Sequence, residues 1–76
     1  FTLDLDVLDP SVFPGTGTPE PGGVSFEELR KAVTLVCQKA NVVACDVNEL
    51  SPPYDQSGVS TMVACKIVRE MLLALN

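Results

Sequence analysis

The order of elements in this sequence predicts an α/β fold, a βαβα segment whose two strands run parallel. Three observations carry that expectation. Phe1–Pro10, FTLDLDVLDP, alternates like a strand; Ser25–Ala40 and Ser57–Leu75 carry apolar residues at helical spacing; and the apolar, β-branched run Val42–Cys45 lies between those helices. A strand, a crossover helix and a second strand form a βαβ unit, whose strands are parallel and whose connection is right-handed nearly always. Both strands then end at the same edge of the sheet.

In the first strand, side chains alternate faces, so Asp4 and Asp6 are expected on one face, about 7 Å apart. Two like charges in a half-buried setting need a cation or hydrogen-bond donors to compensate them, and a divalent metal does so economically. A turn at Asp9-Pro10, with Asp6 and Asp9 as its caps, accounts for the same residues without a ligand. The run Val7–Gly23 holds four of the six prolines and four of the five glycines, which excludes regular structure. A loop of about 14 residues is long for a compact domain, and such loops are usually functional or disordered. Order is the expectation here, because Val12 and Phe13 offer apolar anchors and the prolines stiffen the chain.

Ser25-Phe26-Glu27-Glu28 reads as a capping box, in which Ser25 accepts from the Glu28 backbone and the Glu28 side chain reaches back to the Ser25 amide. Val24 and Leu29 fit a hydrophobic staple around it. Leu29, Val33, Val36, Cys37 and Ala40 mark the apolar face of the helix that follows, and Lys31, Thr34 and Gln38 its wet side. The run Val42–Cys45 has the pattern of a strand covered on both faces, as in parallel sheets. It turns polar through Asp46, Asn48 and Glu49, and Ser51-Pro52-Pro53 ends it by removing ladder donors. The last helix carries Val59, Met62, Val63, Ile67, Val68, Met71, Leu72 and Leu75 against few polar positions, and is expected to be mostly buried. Ligands of open α/β sheets bind outside the carboxyl ends of the strands, where Asp4, Asp6 and Glu49 fall.

With 76 residues the chain is one domain at most, and it is small for a self-sufficient core. Hydrophobic residues make up 46% and the mean hydropathy is +0.26, so surfaces are expected that something else covers. A net charge of -5 with only five Lys and Arg leaves no basic stripe, which argues against nucleic acid and membrane surfaces as partners. Cys37, Cys45 and Cys65 are unclustered and lie in apolar stretches, as buried reduced thiols of a cytoplasmic protein would. No run is long and apolar enough to span a bilayer, and there is no signal-peptide pattern. Opening directly on a strand-like Phe1-Thr2-Leu3 is expected of an internal or C-terminal piece of a longer chain.

The string Asp4-Leu5-Asp6, Asp9-Pro10, Pro14-Gly15-Thr16-Gly17-Thr18-Pro19 and Gly22-Gly23, continued by Asp46-Val47-Asn48-Glu49, Pro52-Pro53-Tyr54-Asp55 and the last helix, resembles the ureohydrolases, the arginases and agmatinases. The resemblance covers essentially the whole chain and is closer to the agmatinase branch. It implies that residues 1–76 are the C-terminal segment of a single three-layer α/β/α ureohydrolase domain with a mostly parallel sheet. It further implies a pair of Mn2+ ions whose bridging hydroxide attacks a guanidinium carbon, giving urea and an amine, as in agmatine to putrescine. Hard carboxylate oxygens suit manganese, which makes hydroxide available at neutral pH.

By the same resemblance Asp4 bridges the two ions, Asp6 binds one of them, Glu49 grips the guanidinium of a small substrate and Thr18 supports it. A carboxylate is the fork-shaped partner of a guanidinium. Asp9 and Asp46 read as structural acids. The family's histidine ligands, its Asp-x-His-x-Asp motif and its proton-handling histidine are missing, since this chain has no histidine. It is therefore expected to be inactive alone and to need the remainder of a parent chain, with identical subunits as further partners. Guanidinobutyrase, arginase and formimidoylglutamase specificities stay open. So does a non-catalytic module that pairs its sheet edges with another chain.

Overall fold

The computed structural model describes residues 1–75, and its elements follow the expected order: β1 (Thr2–Asp4), α1 (Phe26–Lys39), β2 (Asp46–Asn48) and α2 (Val59–Ala74). The strands pair parallel, with Thr2 opposite Asp46, Leu3 opposite Val47 and Asp4 opposite Asn48. The ladder is prolonged by the Asp46 amide donating to the Phe1 carbonyl at 3.0 Å. Downstream of β1, an isolated parallel bridge joins Leu8 to Val24, so the long loop leaves and re-enters at neighbouring points.

The first strand is shorter than expected. After Asp4 the backbone enters a 3-10 turn, Leu5–Val7, and the Asp4 side chain accepts from the Asp6 amide at 3.0 Å. A short acidic side chain that bonds its own backbone two residues on offers the chain an alternative to the ladder. Leu5, the first residue of this turn, and Leu8, which follows it, stay buried. Asp4 and Asp6 are therefore neighbours across a tight turn, and the strand alternation expected for them does not apply.

The second strand lies on Asp46–Asn48 and not on Val42–Cys45. The described ladder pairs β1 with Asp46–Asn48, and Val43 is 89% exposed. Cys45 and Cys65 are exposed as well, and only Cys37 is buried as all three were expected to be; all are free thiols.

The capping box forms as expected: Ser25 Oγ accepts from the Glu28 amide at 3.1 Å, and the Ser25 amide donates to Glu28 Oε1 at 2.9 Å. From there Leu29, Val33 and Cys37 recur every fourth residue, one stripe on α1 that meets Ala64, Ile67 and Met71 of α2 in the core. Val36 and Ala40 lie outside that stripe and are exposed, whereas Thr34, expected on the wet side, has its hydroxyl buried without a partner.

The loop contributes to the core through Phe13, which is fully buried. Burying such a side chain contributes roughly 1.5–3 kcal/mol, enough to hold a chain this rich in proline to the helices. α2 departs from expectation: Met62, Leu72 and Leu73 are 70%, 59% and 57% exposed. Among the described residues no helix is long and apolar enough to cross a membrane.

Candidate functional site at the carboxyl edge of the strands

Asp4 ends β1 and is in register with Asn48, the last residue of β2, so Glu49 follows directly at the same edge. Glu49 is exposed and has φ +80, a left-handed conformation that a residue with a side chain adopts only under constraint. Such outliers gather where a chain must aim a functional group. Asp6, in the turn after β1, accepts from the Thr18 hydroxyl at 2.8 Å. That bond brings the glycine-rich loop to the strand edge. Asp4, Asp6 and Thr18 thus form one bonded group, with Glu49 on the neighbouring strand.

Two further acids organise the surroundings. Asp9 accepts from the amide and hydroxyl of Ser11 through Oδ2, and from the Gly22 and Gly23 amides at 2.9 and 3.2 Å through Oδ1. It clamps both ends of the loop. Gly23 is required there, because a Cβ would lie 2.5 Å from the Asp9 amide nitrogen. Asp46 accepts from Thr2 Oγ1 at 3.2 Å, which ties the strands together, and from Asn48 Nδ2 at 2.6 Å within β2.

The hydrogen bonds of Asp9, led by the Ser11 hydroxyl and amide, hold its carboxyl at about 2, below the ordinary 3.8. Asp55 is held at about 2 by Ser57 and Ser60 in the same way. A depressed carboxyl contributes stability that is complete above the unfolded value and lost as pH falls through the folded one. Melting temperature is therefore expected to drop between about pH 4 and pH 2. Asp9→Asn should lower the melting temperature at pH 7 and flatten that acid limb. A limb of unchanged steepness in the variant would contradict the clamp.

Asp4 uses Oδ1 for the Asp6 amide and Asp6 uses Oδ2 for Thr18, which leaves one oxygen of each carboxylate outside these bonds. Hard carboxylate oxygens suit manganese. Among the described residues no three His, Cys, Asp or Glu side chains gather closely enough to hold a metal ion. The donor set fits the carboxylate part of a metal site and needs further ligands. An open apolar hollow of about 580 Å³, lined by Phe26, Val59, Met62, Val63 and Lys66, lies along α2 and contains no carboxylate.

A sequence model of the arginase family matches residues 1–74. The chain belongs to the arginase family. It is 48% identical over 73 residues to the agmatinase of Halalkalibacterium halodurans, covering 95% of this chain and 25% of that protein. To the human mitochondrial guanidino acid hydrolase it is 45% identical over 75 residues, covering 99% of this chain and 21% of that protein. The crystal structure of formimidoylglutamase from Bacillus subtilis superposes with a TM-score of 0.90 at 31% identity, over 97% of this chain and 23% of the other. The chain thus spans a quarter or less of the length of these relatives. Its βαβα arrangement is a segment of the three-layer α/β/α arginase-type fold.

Asp55 escaped sequence reasoning as a site-building residue. Its signal was present in Asp55-x-Ser57-Gly58, a run of helix-starting residues before an apolar helix. Asp55 bonds the hydroxyl of Ser60, and that hydroxyl accepts from the amide of Gly15, which is far away in sequence.

Proposed function

We propose that this chain is the C-terminal segment of a manganese-dependent ureohydrolase domain, agmatinase-like, that hydrolyses a guanidino C–N bond to urea and an amine. The observation that carries this reading is the convergence of Asp4, Asp6 bonded to Thr18, and Glu49 on one edge of two parallel strands. Asp4 and Asp6 would hold manganese, which when bound supplies hydroxide at neutral pH. Glu49 binds the cationic guanidinium and turns it towards that edge. Thr18 keeps Asp6 oriented and supports the substrate beside it. The remaining ligands and the proton-handling group come from the rest of the parent chain, because this segment has no histidine. Free cysteines fit a reducing cytoplasm, and exposed apolar residues of α2 fit packing against the remaining domain or identical subunits.

Comparable likeness to a guanidino acid hydrolase and a formimidoylglutamase favours testing related substrates beside agmatine. Urea or formamide release from agmatine, guanidinobutyrate, arginine and formimidoylglutamate by the complete enzyme decides among them. Hydrolysis of none, with manganese bound, would refute the reading.

The isolated chain is expected to release no urea from agmatine with Mn2+ present, and to associate through its sheet edges and α2. Sedimentation combined with a urea assay checks both; a stable monomer with measurable turnover would contradict both.

A further inference from the structure

Gly15 of the glycine-rich loop and Ser60 of the first turn of α2 meet although 45 residues separate them in sequence. The Gly15 amide donates to Ser60 Oγ at 2.8 Å. Ser60 Oγ donates in turn to Asp55 Oδ2 at 2.6 Å, and the Ser60 amide donates to the same oxygen at 2.9 Å. Asp55 Oδ1 accepts from the amide and hydroxyl of Ser57 at 3.1 and 2.5 Å. The approach is tight, because a Cβ on Gly15 would lie 2.7 Å from Ser60 Cβ. Ser60 is fully buried, and the Gly15 carbonyl accepts from the Ser51 amide at 2.7 Å. Gly15 is thereby fastened on both its donor and its acceptor side.

The bonds have a direction. A hydroxyl has one proton, and the Asp55 carboxylate takes it, so the lone pair of Ser60 faces the Gly15 amide. Three residues beyond Gly15 stands Thr18, whose hydroxyl reaches Asp6. A loop with no ladder of its own owes its position to such fastenings.

We infer that Asp55 is a positioning residue: by orienting the Ser60 hydroxyl it pins Gly15 and so holds Thr18 where it meets Asp6 and the substrate. This inference rests on the ureohydrolase reading of Thr18. Asp55 touches neither substrate nor metal, and its effect passes through Thr18.

A double-mutant cycle in the complete enzyme, at saturating Mn2+, tests it. Asp55→Asn keeps the shape but has one acceptor oxygen for the four donors that the two carboxylate oxygens serve, so the Ser57–Asp55–Ser60 linkage loses two of its four bonds. It should lower kcat/KM about tenfold to a hundredfold in the native background, the scale of a small misplacement. In a Thr18→Val background the same change should cost less than about threefold, because coupled positions are not additive. Full multiplication of the two effects, or an Asp55→Asn enzyme with native kinetics, would overturn the inference. Native kinetics for Thr18→Val alone would instead overturn the assignment of Thr18, and the inference with it. Near-ultraviolet circular dichroism checks the fold. Should Asp55→Asn not fold, Ser60→Ala removes the same link and takes its place in the cycle. Failure of both to fold would make the link a stability element and refute the positioning role.

Discussion

Asp4→Asn in the complete enzyme is expected to abolish manganese binding and urea release together, by on the order of a hundredfold or more, since outer partners of a metal site alone cost 10–100-fold. The local geometry makes this substitution informative. Asp4 Oδ1 caps the turn by accepting from the Asp6 amide at 3.0 Å, and an asparagine carbonyl oxygen can keep that bond. What changes is the second oxygen, which becomes an amide nitrogen with protons and no lone pair for a cation. The turn survives and the ligand is lost. Manganese measured by atomic absorption, alongside urea release from agmatine, reports the outcome. A variant that retains both its metal and its turnover would show Asp4 to be a turn-capping acid and nothing more.

Glu49→Gln is expected to separate substrate recognition from metal binding. The residue follows β2 with φ +80, and glutamine has the same backbone demands, so the strained conformation is carried over. The variant removes charge and keeps shape. A charge-assisted bond to a cationic group contributes roughly 1.5–3 kcal/mol, so kcat/KM should fall about tenfold to a few hundredfold. Metal content should stay at the native level. If metal and activity were lost in step, Glu49 would be a ligand; unchanged kinetics would make it a solvated acid at a strand end.

Features that depend on neighbours in sequence are legible in the residues themselves. The capping box needs only Ser25 and Glu28, and both of its bonds form. The stripe Leu29, Val33, Cys37 follows from helical periodicity. The order βαβα, its parallel pairing and the arrival of Asp4 and Glu49 at one edge follow from the alternation of patterns, because parallel strands need a crossover and end together. The candidate residues are legible through their motif, which also points to the arginase family.

Extents and long-range contacts are not legible in this way. Whether Asp6 continues the strand or enters a turn depends on a competition between ladder bonds and the Asp4 side chain, two nearly equal local choices. Val42–Cys45 has the composition of a buried strand, yet a strand exists only where another one pairs with it, and the pairing falls on Asp46–Asn48. The exposure of Met62 and Leu72 reflects what lies against α2, which hydropathy does not encode.

By itself, then, the sequence determined the element types, their order, the helix start at Ser25 and the acids available for chemistry, all of them consequences of covalent neighbourhood and periodicity. Only the tertiary structure decided that Thr18 meets Asp6, that Glu49 takes a left-handed backbone, and that Asp55 reaches Gly15 through Ser60. The bonds among these depend on how the loop and α2 pack against each other, and no spacing along the chain specifies a contact made across it.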